Sequence, residues 1–339
     1  MAHRDILAIG TSAGGFEALR FLASRFPPDF PASVLVTIHL PSHFQSHLDM
    51  LLSKSGPLPA SFARDGETPK SGRIYIATPE RHLLVLGNKL HLGHGPRENF
   101  ARPAIDPMFR SVAACCAERA IGVVLTGSLG DGSAGLHVLK QAGGITVVQD
   151  PADAAFPEMP RRAMTRATPD HVIGLAEMPM LLAELVREPI GKGAPVPEIT
   201  QYEVDVARGG RANMDDMDRL GRRSVLACPD CHGIMWEIDE GNVVRFRCHL
   251  GHAYTAELMS VALDENLRRA LGSALRSLEE RVALMHKLHQ QARSRKTPKL
   301  AEMWGHRAEE YEQEANVVRE SIRRVDALAS QPVEDQAAE

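Results

Sequence analysis

The chain has 339 residues, of which 44% are hydrophobic and 24% charged, and this ordinary globular composition allows two or three compact units. The formal net charge of -4 and an aromatic content of only 5% argue against nucleic acid as a partner. No segment reaches the roughly 18 apolar residues that span a bilayer, and the N-terminal residues lack the features of a signal peptide. We therefore expect a cytoplasmic chain without membrane insertion.

Short apolar runs alternate with helical patterns through the first half of the chain. The apolar runs predict buried strands at residues 6–10, 34–39, 121–126 and 145–148. Helical spacing predicts helices at residues 15–26, 106–119 and 132–142. This alternation predicts an α/β fold with a doubly wound, mostly parallel, Rossmann-like sheet, whose functional site lies at the carboxyl ends of the strands. Residues 93–103 are predicted to form an exposed loop.

The second half of the chain differs in composition and pattern. We expect a sheet domain at 1–190, a linker rich in glycine, proline and charge at 191–225, a zinc-ribbon-like unit at 226–258, a long α-helical hairpin at 259–330 and a disordered tail at 331–339. Two amphipathic stripes separated by a turn at 293–299 predict the hairpin. The stripes favour packing of the hairpin on itself, and a homodimer or partner surface is the alternative.

Ser12 follows the first predicted strand, in a glycine-rich turn that leads into a helix. Glycines allow a tight turn and the close approach of a substrate, and the N-terminus of the following helix favours an oxyanion. A helix cap or a phosphate site would also suit such a serine. However, the GTSAGG sequence matches neither G-x-G-x-x-G nor a Walker motif.

His39 and Asp131 follow two further predicted strands. A serine hydroxyl needs a base such as His39 to become a nucleophile, and an aspartate such as Asp131 would orient the imidazole and stabilise its cation. Each residue alone is more typical of a strand end or a turn. Three residues of the right types at three strand ends together favour a hydrolase.

Six stretches of the first half of the chain form a recognisable series: AIGTSAGGFEALRFL, VTIHLPSHFQSHL, SGRIYIATPERH, RPAIDPMFRSVA, IGVVLTGSLGDGSAGL and AGGITVVQDPADAAFPEMPRRAM. In sequence and in order, they resemble the catalytic domain of the CheB family of chemotaxis protein-glutamate methylesterases. By position, the resemblance implies Ser12 as the nucleophile, His39 as the base and Asp131 as the third catalytic residue. It also implies that methyl esters of glutamate on chemoreceptor-type signalling proteins are hydrolysed to release methanol, with some members also deamidating glutamine.

The resemblance has three departures. Ala13 stands where the family usually has threonine, and Ser128 stands where it usually has methionine. The phosphorylatable receiver domain that commonly precedes the esterase is expected to be missing, so control would come from the C-terminal half or from a regulatory partner. No cofactor is expected for catalysis. The alternatives are a non-catalytic signalling scaffold that binds a partner through its C-terminal half, and a nucleotide-binding sheet domain.

A cysteine pattern in the second half indicates a metal site. Cys228 and Cys231 form a C-x-x-C knuckle, and Cys248 follows the intervening hairpin-like stretch. Three thiolates and one imidazole make a closed tetrahedral zinc site, and a unit of about thirty residues needs such support to fold. We expect a structural zinc with His252 as the fourth ligand, and His249 is the alternative. A redox role for the knuckle is less consistent with the surrounding pattern.

Overall fold

The structure is a computed structural model, and it describes residues 3–39, 46–210, 212–239 and 244–329. The predicted disordered tail at 331–339 lies outside the described residues. The chain divides into two compact units, Met1–Leu258 and Met259–Glu339. The boundaries expected at residues 190 and 226 therefore fall inside the first unit.

A seven-stranded parallel sheet forms the centre of the first unit, and this confirms the predicted α/β fold. Its strands, in chain order, are β1 (Ile6–Thr11), β2 (Ser33–Ile38), β3 (Ala60–Phe62), β4 (Arg73–Ile76), β7 (Ala120–Val124), β8 (Ile145–Gln149) and β9 (His171–Ile173). An antiparallel hairpin, β5 (His82–Leu86) and β6 (Lys89–Gly93), lies outside this sheet.

The order of the strands is β3-β4-β2-β1-β7-β8-β9. The first strand β1 therefore pairs with β2 on one side and with β7 on the other, with Ile6 beside both Ser33 and Ala120. The chain winds outwards from β1 in both directions, so the carboxyl ends of β1, β2 and β7 are neighbours. Such a switch point is where doubly wound sheets bind their ligands.

Helices cover both faces of the sheet. They are α1 (Gly15–Arg25), α2 (Leu48–Ser55), α3 (Ile105–Cys116) with a 3-10 turn at Ala117–Arg119, α4 (Ser133–Gln141), α5 (Glu158–Ala167) and α6 (Met178–Leu185). Side chains alternate along β1: Ala8 faces a core with α3 and α4, whereas Leu7 and Ile9 face a second core with α1 and α6. Two buried faces explain why the strands are apolar throughout.

The segment predicted as a linker contains regular structure. Two helices, α7 (Glu198–Arg208) and α8 (Met214–Leu220), lie within residues 191–225, and strand β10 begins at Arg222. Val204, Val206 and Ala207 of α7 are buried, so this short helix packs against the rest of the first unit. The glycine- and proline-rich residues that flank α7 hid its amphipathic pattern in the sequence.

The region with the cysteines forms a four-stranded antiparallel sheet, which we call the ribbon sheet. Its strands are β10 (Arg222–Ala227), β11 (Ile234–Asp239), β12 (Val244–Cys248) and β13 (Ala253–Thr255), in that order. The turn expected between β11 and β12 lies outside the described residues. The ribbon sheet belongs to the first compact unit.

Two long helices form the second unit, as predicted from the apolar stripes: α9 (Ala256–Ser294) and α10 (Pro298–Ala329). They run antiparallel, because contacts join residues progressively further from the turn, namely His289 with Ala301, Glu279 with Arg319 and Arg268 with Asp326. Within the described part of the chain, no helix is both long and apolar enough to cross a membrane.

Candidate active site

Ser12, His39 and Asp131 lie together at the carboxyl edge of the sheet. Ser12 directly follows β1, His39 directly follows β2, and Asp131 lies in the loop after β7. The turns after β1 and β7 both lead into helices through a glycine in the left-handed conformation, Gly14 with φ 73° and Gly132 with φ 91°. A side chain at Gly132 would clash with Ile105, at 2.7 Å. These glycines therefore allow two tight turns to bring the polar residues together.

A chain of hydrogen bonds joins the three side chains. The Nδ1 atom of His39 lies 3.1 Å from the Ser12 Oγ atom, and its Nε2 atom lies 2.8 Å from the Asp131 Oδ2 atom. When Nε2 carries the proton and donates it to the carboxylate, Nδ1 is free to accept a proton from the serine hydroxyl. This is the order of contacts that activates a serine nucleophile.

The Asp131 carboxylate is buried but well supplied with hydrogen-bond donors. Besides His39, it accepts hydrogen bonds from the backbone N–H of Ile105 at 2.6 Å, the backbone N–H of Asp106 at 3.2 Å and the Asn99 side chain at 2.9 Å. Burial alone would raise the pKa of Asp131, but the interactions with His39, Ile105 and Asn99 outweigh it and lower this pKa. The carboxylate is therefore charged at neutral pH.

Asn99 and Asp106 are functional candidates that the sequence analysis missed. The Asn99 side-chain amide donates to both Asp131 and Asp106, at 2.9 Å in each case. Burial and the nearby charge of Asp131 raise the pKa of Asp106 to about 7. Asn99 lies within residues 93–103, which were predicted to be exposed, yet it is only 6% exposed. A polar loop without periodicity gives no local signal of burial.

An open cleft of about 300 Å³ leads to Ser12 and His39. Its wall includes Phe100, Leu129 and Leu258, together with charged residues that pair across it: Glu80 contacts Arg102 at 3.0 Å and Arg97 at 3.6 Å. Ser128, one of the departures from the family pattern, also lines the cleft. Within the described residues, the backbone N–H groups of Ala13 and Ser128 have no hydrogen-bond acceptor. They are candidate donors to an oxyanion.

The structure also brings together the predicted metal-ligating residues. The ligand atoms of Cys228, Cys231, Cys248 and His252 all lie within 4.8 Å of one another, so this cluster could hold a metal ion. The Sγ atoms of Cys231 and Cys248 are 3.6 Å apart, and the His252 Nδ1 atom lies 3.5 Å from Cys248 Sγ and 3.7 Å from Cys228 Sγ. The ligand atoms of a tetrahedral zinc are separated by roughly 3.4–3.8 Å. The spacing therefore fits zinc.

Two neighbouring residues affect the choice of the fourth ligand. The ring of His249 lies beside Gly233, where an added side chain would clash with it, and His249 is not part of the four-residue cluster. The Oδ2 atom of Asp230 lies 4.0 Å from the Nε2 atom of His252. A carboxylate near the second nitrogen of a histidine ligand is a common support for metal binding.

A Ser-His-Asp hydrogen-bond chain at the carboxyl edge of a doubly wound sheet is the arrangement of hydrolases with a serine nucleophile. Comparisons with known proteins show to which family of hydrolases the chain is similar. A family model described as CheB methylesterase matches residues 7–182. The chain belongs to the CheB methylesterase family.

Individual relatives agree with this assignment. The chain is 37% identical to protein-glutamate methylesterase/protein-glutamine glutaminase 2 of Anaeromyxobacter dehalogenans over 55% of this chain and 54% of the relative. A relative from Leptospira interrogans is 34% identical over 53% of this chain and 94% of the relative. The crystal structure of the Thermotoga maritima CheB methylesterase catalytic domain is 31% identical and superposes with a TM-score of 0.52, covering 55% of this chain and all of that one.

These similarities have a limited extent. This chain spans about half the length of the Anaeromyxobacter relative, and the family match ends at residue 182. The ribbon sheet and the helical hairpin lie outside that match.

Proposed function

We propose that this protein is a serine hydrolase that removes methyl esters from glutamate side chains of methyl-accepting chemotaxis-type signalling proteins and releases methanol. The observation that carries the proposal is the chain of hydrogen bonds from Ser12 through His39 to Asp131, at 3.1 and 2.8 Å. The names of the relatives supply the glutamyl methyl ester, and the resemblance to the CheB family supplies the signalling protein that carries it. They also suggest deamidation of glutamine, which would release ammonia from the same site.

The side chains have distinct roles in the proposed reaction. His39 takes the hydroxyl proton as Ser12 Oγ attacks the ester carbonyl, and Asp131 stabilises the imidazolium that forms. The N–H groups of Ala13 and Ser128 are the proposed donors to the oxyanion. The imidazolium then protonates the departing methoxide to give methanol, leaving an acyl-serine. Water, deprotonated by His39, hydrolyses this ester and regenerates Ser12 with a free glutamate.

The substitutions at Ala13 and Ser128 are compatible with this chemistry. Both proposed oxyanion donors are backbone groups, so a change of side chain leaves them in place. Loss of such a donor would cost on the order of a hundredfold or more in rate. We therefore expect both positions to influence substrate preference more than the existence of the activity.

A fluorophosphonate probe and methanol release would test the proposed hydrolase. We expect the wild-type chain to be labelled, and Ser12→Ala and His39→Ala to lose both labelling and methanol release from methylated receptor fragments. A wild type that neither reacts with the probe nor releases methanol would instead favour the non-catalytic scaffold. Stabilisation by nucleotides, without dependence on Ser12, would favour a nucleotide-binding domain.

We also propose that Cys228, Cys231, Cys248 and His252 hold a structural zinc. The donor set of three thiols and one imidazole is typical of closed structural sites, and the ligand distances support it. The expected result is one zinc per chain by elemental analysis, with loss of zinc in Cys231→Ser and retention in Cys115→Ser, the matched change at a cysteine outside the cluster.

Location and partners remain proposals of the same kind. None of the five cysteines forms a disulfide bond, which agrees with a reducing compartment such as the cytoplasm. Exposed apolar side chains on the hairpin, including Leu284 and Val317, support a homodimer or a regulatory partner at this surface. The mass of the intact protein in solution, compared with that of a Leu284→Glu variant, would test the homodimer.

A further inference from the structure

The loop between β6 and α3 forms part of the cleft wall and also contacts the ribbon sheet. Glu98 forms a β-bridge with Ala253 of β13. The backbone N–H of Asn99 donates to the Ala253 carbonyl at 2.9 Å, and the backbone N–H of Thr255 donates to the Asn99 Oδ1 atom at 3.3 Å. The ribbon sheet thus holds both the backbone and the side chain of Asn99.

The Nδ2 group of the same side-chain amide contacts the catalytic residues. Its Nδ2 atom donates to the Oδ1 atom of Asp131, and the Oδ2 atom of Asp131 contacts His39. A single side chain therefore joins the ribbon sheet to the proposed catalytic carboxylate. The matched family model ends before the ribbon sheet begins, so this contact is supplied by the part of the chain outside the match.

The backbone of the loop has an unfavourable conformation that needs external support. Asn99 and Phe100 have φ values of 52° and 65°, in the left-handed region that bulky residues rarely adopt. Two consecutive left-handed residues persist only where the surrounding contacts hold them. Here the Phe100 ring packs edge-on against the Tyr254 ring, with the centroids 5.3 Å apart.

Tyr254 connects this loop to the cysteine cluster. Its hydroxyl donates to the Oδ2 atom of Asp230, and Asp230 lies between Cys228 and Cys231 and near the His252 ring. The position of Asp230 depends on the knuckle, because a metal bound to both cysteines would fix the backbone between them. The contacts run from the knuckle to Asp230, Tyr254 and Phe100, next to Asn99.

A buried group of five charged residues, which we call the arginine–glutamate cluster, fixes the other side of the loop. It consists of Glu98, Arg110, Glu203, Arg245 and Arg247. Arg247 of β12, the residue before Cys248, contacts Glu98 at 3.0 Å and Glu203 of α7 at 2.8 Å. Glu98 and Asn99 are therefore held by β12 and by the edge strand β13 of the ribbon sheet.

We propose that Asn99 is a positioning residue for the Ser12–His39–Asp131 site, and that an intact Cys228–Cys231–Cys248–His252 metal site holds Asn99 in place. This inference rests on the proposed function, because it assigns a regulating contact to the same site. Correct orientation of the Asp131 carboxylate would then require an intact metal site. Zinc availability would set the fraction of active protein.

Asn99→Gly in the full-length, zinc-loaded protein would test the positioning role. Glycine accepts the left-handed backbone but lacks the amide that reaches Asp131. Because small errors in the position of catalytic groups are costly, we expect about a tenfold to hundredfold loss in kcat and in fluorophosphonate labelling of Ser12, with little change in KM. The matched control is Asn213→Gly, which removes a helix-capping asparagine outside the cleft and should leave labelling unchanged.

A second readout does not depend on turnover. The proton that His39 shares with Asp131 should give a downfield proton resonance in NMR spectra, identified by its absence in His39→Gln. We expect Asn99→Gly to shift or broaden this resonance while the zinc content and the circular dichroism spectrum stay the same. A resonance unchanged in Asn99→Gly would contradict the positioning role.

Chelation tests whether the metal site acts through Asn99. Removing zinc should slow labelling of the wild type by a factor similar to that of Asn99→Gly, but should slow labelling of Asn99→Gly much less. Equal losses in the two proteins, or full labelling of folded zinc-free wild type, would overturn the coupling. Failure of the zinc-loaded wild type to label would count against the proposed hydrolase instead.

Circular dichroism would show whether the zinc-free protein stays folded. If it unfolds, Tyr254→Phe replaces chelation, because this change removes the bond to Asp230 and retains the aromatic contact. We then expect a smaller loss of labelling that disappears in the Asn99→Gly background. A loss of the same size in both backgrounds would overturn the inference.

Discussion

Two buried polar clusters lie on either side of the Glu98–Asn99 pair, and they stabilise charge in different ways. Around Asp131, one carboxylate accepts hydrogen bonds from two backbone N–H groups, an amide and an imidazole. In the arginine–glutamate cluster, Glu203 contacts three guanidinium groups. Because its hydrogen-bond donors are neutral, the negative charge of Asp131 can stabilise the positive charge that forms on His39. The charges of the second cluster, in contrast, already neutralise one another. The first arrangement suits catalysis and the second suits structure.

Asp131→Asn should have the largest effect on activity. The amide keeps the shape of the side chain but removes the negative charge and favours the wrong tautomer of His39, which costs about 10⁴-fold in kcat in a comparable triad. Methanol release measures the loss. The matched control is Asp150→Asn, at the carboxyl end of the neighbouring strand β8, where the carboxylate accepts a hydrogen bond from the backbone N–H of Ala152. Equal activity of the two variants would contradict the proposed role of Asp131.

Glu203→Gln should have the largest effect on stability. The substitution leaves Arg110, Arg245 and Arg247 buried with less negative charge nearby, and breaking a buried ionic group in this way costs about 3–5 kcal/mol. Urea unfolding measures the change in the free energy of unfolding. Glu198→Gln is the control on the same helix. The ion pair between Glu198 and Arg219 is exposed and should contribute less than about 1 kcal/mol to the free energy of unfolding. If Glu203→Gln lowered the free energy of unfolding by no more than Glu198→Gln does, the arginine–glutamate cluster would not stabilise the fold.

Asp106→Asn should have a smaller, pH-dependent effect. The pKa of Asp106 is raised to about 7, whereas the pKa of an aspartate in the unfolded chain is about 3.9. Between these values the native state binds the extra proton, so this residue makes the free energy of unfolding fall as the pH rises from about 4 to 7.

The lowered pKa of Asp131 acts in the opposite direction, because its contribution is present at neutral pH and is lost as the pH falls below about 4. The test for Asp106 is the difference in unfolding free energy between wild type and Asp106→Asn at pH 5 and pH 8. We expect the variant to gain relative to wild type at the higher pH. A constant difference would contradict this assignment.

The sheet, the turns and the three candidate catalytic residues could be predicted because their signals are local. Apolar runs mark β1, β2 and β7, glycine-rich turns follow β1 and β7, and the polar residue after each run lies at the predicted edge. The cysteine pattern likewise predicted a cluster that the structure brings together. The catalytic and metal-binding roles of these residues stay predictions until they are tested.

The support for the site could not be predicted, because it depends on pairs far apart in the chain. Glu98, Glu203 and Arg247 each look like solvent-exposed charges in their own segment. They are buried only because they meet one another, across sequence separations of up to 149 residues. The contacts of Asn99 are equally hard to predict, because its partners Asp131 and Thr255 come from different elements.

The position of α7 has a practical consequence for dissecting this protein. A chain cut at residue 190, where the composition changes, would keep Arg110 and Glu98 but lose Glu203 and both arginines of β12. In the remaining fragment, Arg110 and Glu98 would lack the other three members of the arginine–glutamate cluster. A low yield or weak activity of this fragment would therefore say little about the uncut enzyme. A cut that preserves the first compact unit belongs after Leu258.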